Sequence, residues 1–288
     1  MTEEGQDYRA WLVYDGESAR LNRPYIQMHH EIGAGYGIHF RLLSPEQVRQ
    51  RLHGPDQEDP KLPDFAIVRT ICPELSEELE GFSVPVFNPA AVSRICNDKG
   101  KTIDFIKKNS EVPVIETTRY ANRELSGTLM RRYPGHVIKS VDGHGGREVF
   151  FTSDPFPQIV RGIGTSDFII QPFVRGKGRD VRVYVIGTEI IAAVERTSVD
   201  GFRSNFSLGG RVRLYPLGQE ERHLVETVCR LFDFGMVGID FIIDETGSFI
   251  LNEIEDVVGA RMLYQCQPGI RLLEKYFTFI LDKLLHCN

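Results

Sequence analysis

The segment at residues 237–255, VGIDFIIDETGSFILNEIE, decides the fold class of the carboxy-terminal part of the chain. Two apolar, β-branched runs, 237–243 and 248–254, flank the turn sequence DETG at 244–247. Runs of this length around a glycine-containing turn are typical of an antiparallel hairpin. The sequence therefore predicts a two-stranded ladder here, in the part of the chain that is richest in long apolar runs.

Three carboxylates fall on one patch of this predicted hairpin. If the turn lies at Thr246-Gly247, Asp240 is opposite Glu253, and Glu255 shares the face of Glu253 because side chains alternate along a strand. Three like charges repel one another unless a cation lies among them. Oxygen ligands of this kind suit Mg²⁺, which often bridges to phosphates. A salt-bridge cluster is the alternative on spacing alone, with candidate partners Arg203, Arg211 and Arg261.

A glycine-dense link joins two further predicted strands, 136–141 and 147–152, in an antiparallel hairpin. Lys139 leaves the first of these strands, and the link contains Gly143, Gly145 and Gly146. A lysine ammonium and the bare N–H groups of such a loop can together hold phosphate oxygens. A plain glycine hairpin with a surface lysine is the alternative. The link is not a P-loop, because GxxxxGK[ST] is missing.

Arg203-Ser204-Asn205 is the third candidate site. An arginine held near a metal–phosphate centre stabilises the charge that grows on a transferring phosphoryl group. A solvated loop arginine is the alternative interpretation.

Strands and helices alternate in the first third, which predicts a parallel sheet covered by helices. No GxGxxG pattern follows the first strand, so a dinucleotide fingerprint is absent. We also predict a turn at Asp15-Gly16, a strand at 112–117 and one long strand at 181–194. The other predicted strands are 10–14, 38–43, 65–69, 84–87 and 168–174, and the predicted helices are 23–32, 45–52, 74–79, 101–108, 124–133, 220–232 and a terminal helix from residue 270.

The composition is that of a globular protein. The 288 residues suggest two or three packed units, and 41% hydrophobic with 26% charged residues exclude a mainly disordered chain. A net charge of -6 argues against nonspecific binding to nucleic acid or to an anionic membrane. No apolar run reaches the ~18 residues of a membrane span, and the acidic start is not a signal peptide. Five cysteines without a CxxC pair predict reduced thiols in a cytoplasmic protein.

The candidate sites belong to a colinear set of motifs that resembles the RimK-like ATP-grasp ligases, within the superfamily of ATP-dependent carboxylate–amine ligases. The resemblance implies an α/β (α+β) fold, in which an amino-terminal parallel α/β domain precedes two α+β subdomains that clamp ATP. Its implied limits are 1–95, 96–167 and 168–288. The motifs are Asn97-Asp98-Lys99, Val137-Ile138-Lys139, Ile169-Ile170-Gln171-Pro172-Phe173, Gly178-Arg179-Asp180-Val181-Arg182, Phe202-Arg203-Ser204-Asn205, Gly238-Ile239-Asp240 and Glu253-Ile254-Glu255.

The resemblance also implies roles for the matched residues. Lys99, Lys139 and the glycine loop would contact the nucleotide phosphates, and closure of that loop would gate the reaction. Gln171, Pro172 and Phe173 would lie along adenine, and Asp180 near the ribose. Arg203 and Asn205 would be catalytic and face the acyl phosphate. Arg182 and Ser204 complete the implied nucleotide-binding set, and the implied Mg²⁺ ligands are Asp240, Glu253 and Glu255.

Two positions depart from the family pattern. Pro172 has no N–H, so an adenine contact from this residue must use its carbonyl, and Phe173 would have to donate. Glu255 replaces the usual Asn of Glu-x-Asn. The extra charge should hold the cation harder or favour another divalent ion such as Mn²⁺, and it leaves open whether one or two metals bind.

The implied activity is formation of an amide through an acyl phosphate, with ADP and phosphate as products. The implied partners are a small carboxylate or peptide acceptor and an amino acid or other amine, with no nucleic acid and no membrane; a homo-oligomer is left open. A nucleotide-binding regulatory or scaffold protein and an ATP-grasp small-molecule kinase are the alternatives. We expect Asp240→Asn or Glu253→Gln to abolish ATP turnover with the fold intact.

Overall fold

The computed structural model describes residues 7–54, 62–143, 148–176, 178–197 and 211–286. Four strands of the first third form a parallel sheet in the order β2-β1-β3-β4, as the alternating pattern predicts. The elements are β1 (Tyr8–Val13), α1 (Gly16–Leu21), α2 (Arg23–Ala34), β2 (Ile38–Leu43), α3 (Pro45–His53), β3 (Phe65–Val68), α4 (Pro73–Gly81) and β4 (Val86–Phe87).

Short polar side chains start two of these helices. Ser44 caps α3 and forms a reciprocal capping box with Gln47, with Pro45 at the first helical position, so the predicted start is confirmed. The predicted turn at Asp15-Gly16 is wrong, because a helix begins there. Asp15 Oδ1 accepts hydrogen bonds from the backbone N–H groups of Glu17 and Ser18, at 3.1 and 2.8 Å, and so starts α1.

The central region forms a four-stranded antiparallel sheet in the order β5-β8-β6-β7. The predicted strand at 112–117 is wrong. Pro113 has no N–H for a ladder, and its carbonyl accepts instead from the N–H of Leu251 at 2.8 Å. The elements are α5 (Ala90–Cys96), α6 (Lys99–Asn109), β5 (Thr118–Tyr120), a 3₁₀ turn (Asn122–Glu124), α7 (Gly127–Arg132), β6 (His136–Ser140), β7 (Val149–Phe151), α8 (Phe156–Ile163) and β8 (Phe168–Pro172).

A five-stranded antiparallel sheet, in the order β11-β10-β9-β12-β13, follows. The single strand predicted at 181–194 is wrong, because the chain reverses at Gly187, which has a φ of 58° that favours glycine. The elements are β9 (Arg179–Ile186), β10 (Glu189–Thr197), β11 (Arg211–Leu214), α9 (Gln219–Cys229), β12 (Met236–Ile243), β13 (Phe249–Glu255), α10 (Arg261–Cys266) and α11 (Leu272–His286).

The first and last parts of the chain share a core. Phe277 of α11 packs on Phe40 of β2, with ring centroids 5.4 Å apart, and on His29 of α2 at 5.8 Å. Burial lowers the pKa of His29 to about 3, so this histidine is neutral in the core. The parallel sheet is thereby fixed against the five-stranded sheet, and the ends of its strands face the site described below.

The subdomain limits predicted at residues 95 and 167 stay a prediction. Because β8 pairs with β5 and β6, we propose that the second limit follows Pro172. The helices α5 and α6 pack on the five-stranded sheet through Val92 and Ile103.

None of the helices within the described ranges is long and apolar enough to cross a bilayer.

Candidate active site

The β12–β13 ladder brings the three predicted carboxylates together. Asp240 pairs with Glu253 and Gly238 with Glu255, so the predicted register is confirmed at the site. Nearer the turn the register shifts, and Asn252 becomes an extra residue between Leu251 and Glu253. One oxygen from each of Asp240, Glu253 and Glu255 lies within 4.8 Å of the others. Such proximity is costly for three anions unless cations are close by.

Two buried arginines neutralise Asp240. Arg182 Nε and Nη2 donate to the two oxygens of Asp240, each at 2.7 Å, and Arg196 Nη2 donates to Oδ2, also at 2.7 Å. Asp240 is completely buried. Burial alone would raise its pKa, but the two guanidinium groups hold the pKa at about 2. Asp240 therefore stays ionised and anchors the centre of the cluster.

The partners of Asp240 differ from those weighed from the sequence. Arg182 lies directly opposite Asp240 on β9, which is next to β12 in the sheet, and Arg196 lies on β10, the strand beyond β9. Arg211 and Arg261 are exposed, and the described part of the chain shows no ion pair from either to the three carboxylates. The alternative of a salt-bridge cluster thus holds for Asp240, with partners from two other strands of the same sheet.

Asp180, predicted near the ribose, is paired with Arg196. Arg196 Nε donates to Asp180 Oδ1 at 2.5 Å and Nη2 donates to Oδ2 at 3.0 Å. Both residues are at least nine-tenths buried. Arg196 thereby links Asp180 to Asp240 through charge-assisted hydrogen bonds from one guanidinium group.

Glu253 and Glu255 are less enclosed than Asp240. Arg182 Nη1 lies 2.7 Å from Glu255 Oε2, and Lys99 Nζ lies 3.2 Å from Glu253 Oε2. Burial raises the pKa of Glu255 although Arg182 opposes the rise. Burial acts the same way on Glu253, but the positive charges of Lys99, Lys139 and Arg182 together outweigh it, and the pKa of Glu253 is lowered. The two glutamates are therefore in different electrostatic surroundings, two residues apart on one strand.

Two lysines from other elements face the hairpin. Lys99, at the start of α6, donates to the carbonyl of Gly143 as well as approaching Glu253. Lys139 of β6 donates to Asn252 Oδ1 at 2.9 Å, across the cleft between the two antiparallel sheets. Burial lowers the pKa of Lys139 to about 8, with Glu253 opposing the shift. A lysine in this state gains much from an anionic partner.

The formal charges of the cluster cancel. Four carboxylates face four basic side chains, namely Asp180, Asp240, Glu253 and Glu255 with Lys99, Lys139, Arg182 and Arg196. Asp240 already accepts three hydrogen bonds, whereas Glu253 and Glu255 each form one ion pair with the described basic residues, to Lys99 and Arg182 respectively. The all-oxygen donor set fits a hard divalent cation, with Glu253 and Glu255 as its main donors.

The predicted adenine segment lies at the end of β8. Gln171 is buried; its Nε2 donates to Thr117 Oγ1 at 2.8 Å, while Oε1 has no hydrogen-bond partner within the described ranges. Pro172 is exposed, and Phe173 is 39% exposed and packs edge-on against Phe151. A buried carbonyl oxygen without a donor is costly, so an amino group placed there would be bound favourably.

The glycine link is described only in part. Gly143 packs closely on Glu148, since an added Cβ would lie 2.9 Å from Glu148 Oε2 and 3.0 Å from Glu148 Cβ and would force Glu148 to shift. The predicted residues Gly145, Gly146, Arg203, Ser204 and Asn205 lie outside the described residues.

Asn252 is the site residue that sequence reasoning missed. It carries no charge and lies one position before Glu253, where alternation would point it to the opposite face. The extra residue in the ladder turns it toward Lys139 instead. Arg196 likewise lies between Asp180 and Asp240 in the cluster, and no motif in the sequence indicates that position.

The order of the three sheets and the charged cleft between the two antiparallel sheets are those of an ATP-grasp fold. The RimK-like ATP-grasp domain matches residues 96–277, more than half of the chain. The chain belongs to the RimK-like ATP-grasp family, and it is a carbon–nitrogen bond-forming ligase by family.

Several similar proteins are named as synthases or ligases. Beta-citrylglutamate synthase B of Danio rerio is 33% identical over 283 residues, covering 87% of this chain and 68% of that protein. A probable alpha-L-glutamate ligase of Parasynechococcus marenigrum is 26% identical over 250 residues, covering 77% and 52%. The chain thus spans between about half and two thirds of these relatives. The D-alanine–D-alanine ligase of Bacillus anthracis, solved with ATP, shares the fold at a TM-score of 0.71 and 14% identity, covering 97% and 98%.

Proposed function

We propose that this chain joins a carboxylate to an amine in an ATP-dependent reaction at the cleft between its two antiparallel sheets. The observation that carries the proposal is the meeting of Glu253 and Glu255 with Lys99 and Lys139, which come from three separate elements. Acidic and basic groups alternate there at distances that suit a metal-bound triphosphate. The family relationship supports ATP as the nucleotide.

The basic residues would bind the phosphates of ATP. Lys139 has a pKa of about 8 because it is buried, and phosphate oxygens would restore the solvation that its ammonium lacks. Lys99 would exchange part of its interaction with Glu253 for a phosphate. Gln171 Oε1, which lacks a partner among the described residues, would accept from the amino group of adenine. Arg203 and Asn205 would face the reacting groups, by family resemblance.

Magnesium is the metal that we propose, with Glu253 and Glu255 as its donors and Asp240 behind them. Mg²⁺ would neutralise charge on the phosphate oxygens. Asp240 would act mainly by holding Arg182, because its own oxygens are engaged by two guanidinium groups. Arg182 in turn orients Glu255 through the 2.7 Å contact.

The chemistry follows from the leaving group. A carboxylate is a poor acyl donor, because oxide would have to leave. Phosphorylation of one carboxylate oxygen gives an acyl phosphate, from which phosphate leaves when an amine attacks. The chain aligns the reactants, neutralises charge and keeps water away from the intermediate.

Substrate-dependent phosphate release tests the proposal. The purified chain is incubated with ATP, Mg²⁺ and pooled small carboxylates, with and without pooled amino acids. We expect phosphate release that needs both pools and that falls at least about 100-fold in Glu253→Gln. Glu245→Gln, at the exposed tip of the same hairpin, is the matched control and should retain activity.

Two other results would overturn the proposal. ADP with a stable phosphorylated product and no free phosphate would mean a kinase. Tight ATP binding without turnover in any pool would mean a nucleotide-binding regulatory protein. A cytoplasmic location is proposed as well, because Cys96 and Cys229 are buried thiols.

A further inference from the structure

The strand that carries the proposed metal donors ends directly at one of them. β13 is the outermost strand of the five-stranded sheet, and Glu255 is its last residue. The pair of Gly238 with Glu255 closes the β12–β13 ladder at its open end, and the chain then leaves the sheet at 256–259. Strand ends at the edge of a sheet open readily, because few hydrogen bonds hold them. A metal donor at this place needs support from outside the ladder.

Asn88 gives that support from the parallel sheet. It directly follows β4 and is only 5% exposed. Its Nδ2 donates to the carbonyl of Met236 at 3.0 Å and to the carbonyl of Asp256 at 2.8 Å, while its Oδ1 accepts from the N–H of Gly235 at 2.6 Å. Met236 begins β12 and Asp256 follows β13. The side-chain amide therefore takes the place of a peptide group and links the two strands beyond the end of their ladder.

Two more buried side chains hold the segment that follows. Arg69, directly after β3, donates from Nη2 to the carbonyl of Val258 at 2.7 Å. The hydroxyl of Tyr184, on β9, donates to the carbonyl of Gly259 at 3.0 Å. Val258 is completely buried, and a Cβ added to Gly238 would lie 2.6 Å from its Cγ2. Three of the four carbonyls that follow β13 are thus bound by buried side-chain donors.

Metal binding makes the exact position of Glu255 important. Mg²⁺ requires oxygen ligands at about 2.1 Å in nearly ideal octahedral geometry. Arg182 Nη1 lies 2.7 Å from Glu255 Oε2 and restrains the carboxylate, whereas the backbone next to it is restrained by Asn88 through Asp256. Residues that orient a metal ligand from outside typically change metal affinity by about 10- to 100-fold. Loss of these contacts should therefore be measurable in metal binding.

We propose that Asn88, Arg69 and Tyr184 form a clamp on residues 256–259 that positions Glu255 as a metal donor. All three are positioning residues, and Asn88 holds the residue next to Glu255. The inference rests on the proposed ligase function and adds residues of the parallel sheet to its metal site. Because two of the three donors follow strands of the parallel sheet, the metal donor on the five-stranded sheet is held by both parts of the chain.

The contribution of the metal to nucleotide binding tests this role. A fluorescent, non-hydrolysable ATP analogue is titrated into the full chain with saturating Mn²⁺ and again with a metal chelator, and the ratio of the two affinities is taken. We expect Asn88→Ser, whose shorter side chain cannot reach both strands, to lower this ratio at least about 10-fold. Its affinity for the analogue in chelator should be unchanged. A smaller fraction of folded protein would lower both affinities alike and leave the ratio as it was.

Three comparisons locate the effect. Tyr184→Phe keeps the ring and removes one donor, so it should fold as the unaltered chain does and lower the ratio about 3-fold. Val48→Ala is the control, because it removes apolar volume from the separate core under α3; the urea midpoint should fall while the ratio stays the same. Asn88→Ser combined with Glu255→Gln should lower the ratio no further than Glu255→Gln alone, because the clamp acts through this glutamate.

The outcomes separate the two proposals. Failure of the analogue to bind in either condition would overturn the ligase function, and an unaltered chain whose affinity does not rise with Mn²⁺ would overturn its metal site. Where both hold, an unchanged ratio in folded Asn88→Ser, or a loss that multiplies in full with that of Glu255→Gln, would overturn the clamp alone. If Asn88→Ser does not fold, an unchanged ratio in Tyr184→Phe overturns it.

Discussion

Replacement of Asp240 should lower the stability of the fold much more than replacement of Glu253, although the two residues face each other in the ladder. Asp240 is completely buried and accepts three charge-assisted hydrogen bonds of 2.7 Å from Arg182 and Arg196. Asp240→Asn leaves two buried guanidinium groups without full compensation. Breaking a buried ion pair on one side costs about 3–5 kcal/mol, so we expect a loss of that size.

The ion pair between Glu253 and Lys99 is less buried than the ion pairs of Asp240, so its loss should cost less free energy. The Glu253 side chain is 21% exposed, and Lys99 lies 3.2 Å away with a second acceptor in the Gly143 carbonyl. Glu253→Gln should therefore cost no more than about 1 kcal/mol of unfolding free energy, while ATP turnover is lost. The expectation drawn from sequence, that both variants keep the fold intact, is thus revised for Asp240.

Urea unfolding followed by circular dichroism measures the difference directly. We expect the unfolding midpoint of Asp240→Asn to fall far below those of Glu253→Gln and of the control Glu245→Gln, which should be close to the unaltered chain. Equal midpoints for Asp240→Asn and Glu253→Gln would refute the view that Asp240 mainly anchors the arginines.

Three further predictions follow from the same geometry. Lys139→Met should weaken ATP binding about 10-fold, because it removes a phosphate ligand, and equilibrium titration with a fluorescent ATP analogue measures it; unchanged affinity would contradict the role. Gln171→Leu removes the side-chain oxygen that has no partner among the described residues. The variant should bind ATP more weakly, while its affinity for a triphosphate nucleotide that lacks the adenine amino group should change less. An equal loss of affinity for both nucleotides would contradict an adenine contact. The pKa of Asp240 is about 2 in the fold against 3.8 ordinarily, so ionised Asp240 contributes about 2 kcal/mol of unfolding free energy above pH 3.8, and this contribution is lost as the pH falls toward 2. Asp240→Asn should therefore lose less stability than the unaltered chain between pH 3.8 and pH 2, as acid unfolding measures. Identical acid-unfolding profiles of the two proteins would contradict this role of Asp240.

Periodicity predicted much of the fold because most elements obey local rules. The hairpin around 244–247 formed in the predicted register at Asp240, since alternating side chains and a glycine turn specify it. The prediction of one strand at 181–194 was wrong because the residues on both sides of Gly187 are equally apolar and β-branched, so the pattern does not show where one strand ends and the next begins. The turn is visible only as a single glycine with positive φ. Pro113 similarly contradicts a strand that its apolar neighbours favoured.

The sequence predicted which acidic residues form the candidate site, but it did not predict which basic residues pair with them. Charge and spacing identify Asp240, Glu253 and Glu255, because hard-cation ligands are few. Which arginine reaches Asp240 depends on strand order, and no local pattern says that β9 lies beside β12 with β10 beyond it. Asn252 depends on one shifted residue in a ladder.

Isotope transfer tests the acyl-phosphate route most directly. Once phosphate release identifies an acid and an amine, the acid is supplied with both carboxylate oxygens as ¹⁸O, and the released phosphate is analysed by mass spectrometry. The account predicts one ¹⁸O atom in each phosphate, because phosphate leaves with a carboxylate oxygen, and it predicts that Glu253→Gln forms none. Unlabelled phosphate released by the unaltered chain while the amide forms would contradict it, because the second ¹⁸O atom would then have left the acid by another route.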